Sequence, residues 1–320
     1  MGYSRKKKEM HMIQYFKIEN GRLTSVTNPE DAEIVRVVAP SSIELEEVSS
    51  LTSAPLDLLS AACDKDERPR FESDDGVHLV VLRVPHVDNE SDIPVTTVAF
   101  GMVLTAAHVV SVCSVDAPVW DAINAGKPRI PPVDNRLPFF CAIVMCIARL
   151  YLKHLEDIRR EADAAEREIH DSMRNETLIR LLNLEKCLVF FTTSLRGHEP
   201  IWPRIRRLQA GEMTEDEKEM LDDVQVEFKQ AHDLAEIHSN ILSGMMDAFA
   251  SVISNNLNVV MKLLTSITII LMLPTLIASV YGMNVKLPFQ DSPHAFLITM
   301  GMSLVLSIGG VMIFLRKKLF

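Results

Sequence analysis

Two stretches near the C-terminus contain no charged residue: residues 263–285, a run of 23, and residues 295–315, a run of 21. A helix needs about 20 consecutive apolar residues to cross the hydrocarbon core of a bilayer. Both runs clear that length. Buried core helices are the competing reading, but apolar runs of that kind usually stop at about 10–14 residues. The sequence therefore predicts two membrane-spanning helices, with the rest of the chain outside the bilayer. Whole-chain averages of 48% hydrophobic and 24% charged residues conceal this segregation.

Charge is segregated too. The net charge is −10; Lys286 and Asp291 cancel within residues 263–315, and Arg316, Lys317 and Lys318 add three positive charges, so residues 1–262 carry −13. An acidic domain lacks the basic patch that nucleic acid requires, and it suits divalent cations as partners. Of the five cysteines only Cys141 and Cys146 are close in sequence, and their CxxxxC spacing fits neither a zinc site nor a redox pair. They read as reduced thiols in a cytosolic domain. The basic start, MGYSRKKKEMHM, is followed by no apolar run, so no signal peptide is expected.

Residues 1–136 read as an α/β head. Val- and Ile-rich runs at 12–18, 33–38, 77–85, 95–104 and 108–113 predict strands, and 42–62 predicts a helix. Residues 116–136, with Pro131-Pro132, read as a linker holding a short helix. Residues 137–213 read as two long charged helices broken near 173–175, and 154–174 is almost purely polar, as in a solvated arm. Thr214 with Glu217 forms a capping-box pattern. From there one helix is expected to about Tyr281: a stalk over 214–262, then the first membrane helix over 263–285. An outer loop (286–294), a second membrane helix (295–315) and a basic tail (316–320) complete the chain. Lys262 and the basic tail flank the two spans, so both termini are expected on the cytoplasmic side and the short loop outside.

Along the first membrane helix, polar and small residues fall at Asn258, Thr265, Thr268, Met272, Thr275, Ser279 and Gly282, with Met261 after Asn258. Spacings of three, four and seven put them in one stripe. Ile267, Ile269, Ile270, Leu273, Leu276, Ile277 and Val280 form the other side, suited to lipid or to the second helix. The stripe has two readings: helix packing through small and hydroxyl residues, or a pore lined by side-chain oxygens. One such helix per subunit cannot enclose a channel, so the second reading requires a homo-oligomer.

The first run ends in Tyr281-Gly282-Met283-Asn284. YGMN at this position, followed by a short loop, a second span and a basic end, resembles the CorA metal-ion transporter family. Pro274-Thr275 and the ending Arg316-Lys317-Lys318-Leu319-Phe320 are similar to it as well. The resemblance implies an α+β cytoplasmic head, a long stalk helix and two transmembrane helices, assembled as a funnel-shaped homopentamer in the cytoplasmic membrane. It implies a pore mouth at Gly282, Met283 and Asn284 and pore-lining positions at Asn258, Met261, Leu264, Thr268, Met272, Thr275 and Ser279. Leu264 here stands where the stripe alone has Thr265. It also implies an intersubunit carboxylate site that senses internal divalent ions, with Asp223 as one member and Asp88, near a strand end, as the candidate for the other. Asp216, Glu219, Asp222 and Asp223 lie at helical spacing, which an ordinary solvated face would also show.

The implied cargo is Mg²⁺, both transported and regulatory, with no organic cofactor. Mg²⁺ demands octahedral geometry and sheds water reluctantly; rings of Asn and Thr oxygens can accept hydrogen bonds from its hydration shell. Apolar rings at Met261, Leu264 and Met272 would gate by dewetting. After Asn284 the chain departs from the family's common acidic loop: only Asp291 is acidic, and Lys286 opposes it. That leaves Zn²⁺, Co²⁺ or Ni²⁺ as alternative cargo, although Met283 stands where zinc carriers of the ZntB type more often have Ile or Val. A membrane-anchored enzyme or sensor is the distant alternative. No HExxH, P-loop or GxSxG pattern is present, and Lys6 breaks a myristoylation signal.

Overall fold

The computed structural model describes residues 12–88, 91–124, 130–171, 175–208, 213–285, 287–289 and 293–316. Contacts divide the chain into two units, Met1–Ser243 and Gly244–Phe320.

The first unit is built on a seven-stranded sheet. Its strands are β1 (Met12–Glu19), β2 (Arg22–Val26), β3 (Ile34–Val38), β4 (Arg70–Asp74), β5 (Val77–Val87), β6 (Val95–Leu104) and β7 (Val109–Cys113), in the order β2-β1-β3-β7-β6-β5-β4. Only β3 and β7 run parallel; every other neighbouring pair is antiparallel. Five strands fall where the Val- and Ile-rich runs predict them. The other two, β2 and β4, are closed by two-residue turns with both residues at positive φ: Asn20 (+53°) with Gly21 (+75°), and Asp75 (+44°) with Gly76 (+78°). Such turns match the twist of an antiparallel pair, which is why Asn-Gly and Asp-Gly favour hairpins.

The stretch 42–62 is two helices, not one: α1 (Ser42–Thr52) and α2 (Leu56–Ala61). Ser41 and Glu44 form a capping box at the start of α1, and Ser53 in the left-handed region (φ +56°) followed by Pro55 forces the break. These helices cover one sheet face, where Val35, Val37, Leu79, Val81, Ala99, Val103, Val110 and Val112 meet Leu45, Val48, Leu59 and Ala62. At Gly101 the approach is so close that an added methyl would clash with the Ala62 Cβ.

The other helices of this unit are α3 (Val119–Asn124), α4 (Arg136–Asp171), α5 (Asn175–His198), α6 (Ile201–Leu208) and the first part of α7 (Glu215–Tyr281). Residues 137–208 thus hold three helices where two were expected; the expected break at 173–175 falls mostly outside the described residues. β4 pairs with β5 only as far as Val81, so the outer edge of β5 beyond it needs other partners. Helical side chains provide them: His198 Nε2 accepts from the Arg83 amide at 2.9 Å, and the Tyr151 hydroxyl donates to the Arg83 carbonyl at 2.9 Å. His198 is fully buried, and that burial, with the Arg83 guanidinium adding to it, pushes its pKa down to about 3. Phe228 of α7 packs against Tyr151, His198 and Trp202, at ring-centroid distances of 6.4, 5.0 and 5.1 Å.

Three helices among the described residues are long and apolar enough to cross a membrane: Arg136–Ile169, Glu215–Tyr281 and α8 (Ala295–Arg316). The first was not expected from the charge-free runs. Half of its apolar window is buried inside the protein, where Phe139, Ile143, Ile147 and Tyr151 form core. The windows of the other two are 11% and 0% buried within the protein, so apolar surface not covered by the protein itself is concentrated in the second unit. There α8 packs on the later part of α7: a methyl on Gly310 would sit 3.4 Å from Leu273 Cδ1 and 3.8 Å from Ile270 Cγ1. Small residues at a helix contact of this kind let backbones approach closely.

Candidate functional site

Helix α7 begins as its cap predicts. The Thr214 amide and hydroxyl both donate to Glu217 Oε2, at 2.8 and 3.0 Å, and the Glu217 amide donates back to Thr214 Oγ1. The helix is then continuous to Tyr281, with Pro274 inside it. Pro274 has no N–H, so the Ile270 carbonyl loses its usual helical donor.

Two sides of the second unit's α7 differ in exposure. Ser266 is buried, and Ile270, Leu273, Pro274, Ile277 and Tyr281 are partly withdrawn from solvent. Asn258, Met261, Leu264, Thr268, Met272, Thr275, Ser279 and Gly282 are all exposed. At about 100° per residue, the exposed positions from Met261 to Gly282 lie within roughly 40° of Thr268. Asn258 lies about 80° from it, and the withdrawn set lies about 120–180° away. The stripe therefore faces away from the side that contacts α8. Leu264 and Thr265 lie about 40° and 60° from Thr268, and both are exposed, so both readings of that register leave a residue near the stripe.

The hydroxyls have a defined polarity. Thr268 Oγ1 donates to the Leu264 carbonyl at 2.8 Å, and Thr275 Oγ1 donates to the Leu271 carbonyl at 3.0 Å. Each hydroxyl proton is directed back along the helix, so each oxygen presents lone pairs outward. An oxygen of that polarity accepts hydrogen bonds from the water shell of a cation.

Past Tyr281 the chain turns. The Gly282 amide donates to the Ala278 carbonyl at 2.9 Å and the Met283 amide to the Val280 carbonyl at 3.2 Å. A methyl on Gly282 would crowd the Ala278 carbonyl at 3.2 Å. Met283 and Asn284 follow outside the helix and are exposed. The Tyr281 hydroxyl donates to the Pro288 carbonyl at 3.2 Å, tying the returning loop to the helix end. Sequence reasoning treated Tyr281 only as part of a motif; nothing local in the sequence announces this bond. Lys286, Asp291, Lys317 and Lys318 lie outside the described residues.

In the first unit Asp223 is exposed on α7 and Asp88 is exposed just after β5. Asp222 is ion-paired with Arg206 of α6, whereas Asp223 has no ion-pair partner among the described residues. No group of three or more His, Cys, Asp or Glu side chains among the described residues is arranged to hold a metal ion within one chain. Asp223 and Asp88 would therefore need ligands from elsewhere.

Comparison with known proteins gives the wider context. Residues 30–317 match the family described as CorA-like Mg²⁺ transporter protein. The Methanocaldococcus jannaschii protein named cobalt/magnesium transport protein CorA is 26% identical over 285 residues, covering 87% of this chain and 88% of its own. The complete structure of the CorA magnesium transporter from M. jannaschii covers 95% of this chain and 98% of its own, with a TM-score of 0.80 at 24% identity. The ZntB cytoplasmic domain from Vibrio parahaemolyticus shares the fold of the first unit at 12% identity, covering 77% of this chain and 99% of its own with a TM-score of 0.57. With a family match over nine-tenths of its length, a fold shared end to end with a CorA structure, and two C-terminal spans joined through YGMN, the chain belongs to the CorA-like Mg²⁺ transporter family.

Proposed function

We propose that this protein carries divalent cations, Mg²⁺ first among them, across the cytoplasmic membrane through a pore lined by α7 of five identical subunits. The observation that carries this reading is the stripe on α7: oxygen- and sulfur-bearing side chains share one face, that face points away from α8, and it ends at the GMN turn. Gly282, Met283 and Asn284 form the outer mouth. Five Asn284 amides offer acceptor oxygens to a hydrated ion, and the Thr275 and Thr268 rings repeat the arrangement further in. Met261, Leu264 and Met272 supply apolar constrictions between them. Both termini are cytoplasmic in this arrangement, and lipid surrounds α8.

Internal divalent ions regulate the pore. Asp223 and Asp88 fit a hydrated Mg²⁺ in chemistry: hard carboxylate oxygens, exposed, with Asp223 in no ion pair among the described residues while its neighbour Asp222 is neutralised by Arg206. Such a site is completed by an adjacent subunit. Mg²⁺ bound there offsets the repulsion between carboxylates and favours the closed ring.

Co²⁺ is the second cargo to weigh, because the M. jannaschii relative is named for cobalt as well as magnesium. Uptake into liposomes containing the purified protein, measured with Mg²⁺, Co²⁺, Zn²⁺ and Ni²⁺ side by side, tests the proposal. Faster entry of Mg²⁺ at matched concentration supports it; entry of Zn²⁺ alone overturns the cargo, and entry of none overturns the transport reading.

A further inference from the structure

We infer that His238 on α7 is an acid-sensitive catch, which holds α7 to α4 while its ring is neutral and releases it when the ring takes a proton. Its effect on transport rests on the pore reading above; the contact itself does not. Inside the first unit α4 and α7 run side by side in the same direction. Tyr151 of α4 packs against Phe228 of α7 with ring centroids 6.4 Å apart. Further along, the charges that act on His238 come from Arg159, Glu156 and Asp163 of α4. Both helices are described without a break over this stretch. Between the two levels Leu155 and Ile158 of α4 and Ala231 and Ala235 of α7 are buried, the alanines completely.

His238 is half-buried, and its Nδ1 is enclosed with no hydrogen-bond partner among the described residues. Two carboxylates act on it, but a guanidinium already holds both. Arg159 donates from Nε and Nη2 to Glu156, at 2.9 and 2.8 Å, and from Nη1 to Asp163 at 3.0 Å. Arg160 adds a bond to Glu156 at 3.0 Å. These bonds, Arg159's first, hold the Glu156 carboxyl down to about 2, so it is ionised throughout the physiological range. A neutral His238 ring leaves one acceptor unpaired in this setting. A proton turns that nitrogen into an enclosed donor on a charged ring, near a guanidinium and with both carboxylates engaged. Burial and then Arg159 oppose the cation, Glu156 and Asp163 only partly offset them, and the packed form holds the His238 pKa below its ordinary 6.5. The contact is therefore complete above pH 6.5 and weakens as pH falls below it. Once α7 separates from α4, water solvates the protonated ring, so acid favours the separated form. In the proposed ring of five, acid then acts in the same direction as loss of Mg²⁺, against the closed state.

Exchange of the imidazole C2 hydrogen, followed by mass spectrometry on the full chain in lipid nanodiscs, gives the pKa of His238 separately from the other histidines and tests the inference. We expect His238 of the unaltered protein to titrate below 6.5. Arg159→Gln frees two carboxylates for the ring, so it should move the His238 pKa up, whereas Asp163→Asn should move it down. Backbone amide exchange over 231–242, corrected for intrinsic chemistry, reads the catch itself. Protection there should fall severalfold between pH 7.5 and 5.5 in the unaltered protein and stay level in His238→Leu, which fills the seam without titrating. In Arg159→Gln the fall should disappear. A His238 pKa at or above 6.5 in the unaltered protein overturns the inference, and so does one that Arg159→Gln leaves in place or lowers. A fall in protection that persists in His238→Leu assigns the acid response to another group, such as His198, and overturns it as well. None of these readouts needs transport, so a protein that meets them all and carries no Mg²⁺ overturns the pore reading and leaves the catch standing.

Discussion

Two threonines on α7 direct their only hydroxyl proton to a backbone carbonyl four residues earlier, at Leu264 and Leu271, which leaves lone pairs for the proposed pore. Thr275→Val keeps the shape and removes that oxygen, so Mg²⁺ uptake should fall severalfold while Thr275→Ser retains it; liposome flux of the two variants compared at equal protein checks this. In the proposed mouth Asn284 would have the same role, without a helical carbonyl to share. Asn284→Ala should abolish uptake with assembly intact, measured by flux beside size-exclusion of the solubilised complex; normal flux from a correctly assembled variant removes the mouth assignment. His198 is a different kind of residue, structural and fully buried. Its folded pKa, about 3, lies below the ordinary histidine value of 6.5, so between those two values the unfolded chain binds a proton that the folded chain refuses. Stability contributed by the neutral ring is complete above about pH 6.5 and declines as pH falls toward 3, by at most about 1.4 kcal/mol per pH unit. His198→Leu leaves the Arg83 amide unpaired, so it should lower the melting temperature at pH 7.5 and flatten the acid-side decline. An acid-side decline equal to that of the unaltered protein would assign the sensitivity elsewhere.

Secondary-structure elements were legible wherever a pattern lay within one stretch of chain. β6 spans 95–104 as its Val-rich run predicts, and α7 starts beside Thr214 because the capping box is written in adjacent residues. β2 and β4 were missed because their residues, Arg22–Val26 and Arg70–Asp74, are short and polar at an edge. The signal that finds them lies in the turns: Asn20-Gly21 and Asp75-Gly76 announce two-residue hairpins that oblige a partner strand on each side. The break of 42–62 was also written, in Pro55 after Ser53. What no local pattern carries is the use of α4 as core. Its apolar residues suit a membrane as well as a sheet, and partners such as Arg83, Phe191 and Phe228, all against Tyr151, decide between them. The stripe on α7 was legible, since a helix repeats its faces every three to four residues. The Tyr281–Pro288 bond was not, because it depends on the path of a loop. Within the first unit, α7 is held by Leu221, Val224, Phe228, Ala231 and Ala235, all buried at three- and four-residue spacing. Phe228 fills the space between Tyr151, His198 and Trp202, and truncating a buried aromatic costs about 3–5 kcal/mol. Phe228→Ala should therefore lower the unfolding transition of the first unit far more than Phe228→Leu does, measured by thermal melts in one detergent. Equal melts for the two variants would show that the aromatic cluster does not anchor the stalk.

At the scale of the assembly, the proposed pore and the proposed sensor depend on each other, because each is incomplete in one chain. A single α7 encloses nothing, and no set of three ligating side chains converges among the described residues of one copy. A homopentamer supplies both, and mass measurement of the solubilised complex should give five times the 35.9 kDa chain; a stable monomer or dimer removes the pore and the sensor together. Within the proposed ring, Asp223 of each subunit would face a neighbour. Exposed carboxylates are screened, so two unit charges 4 Å apart in water repel by only about 1 kcal/mol. Five such interfaces sum to about 5 kcal/mol, close to the roughly 5.5 kcal/mol that carries a two-state equilibrium from 1:99 to 99:1. Metal binding removes the repulsion at every interface and adds a bridge, so it favours the closed, symmetric ring. The sign for a variant follows. Asp223→Asn loses the repulsion and most of the grip on metal, so the ring should respond less to internal Mg²⁺ whether it rests open or closed. Limited proteolysis reads this out. The unaltered protein should resist cleavage in millimolar Mg²⁺ and yield when Mg²⁺ is chelated, and Asp223→Asn should show a smaller difference between the two conditions. If Mg²⁺ protects both proteins at the same concentration, Asp223 is an ordinary solvated carboxylate, and the gate must be sought at Glu219 or Asp216 on the same face.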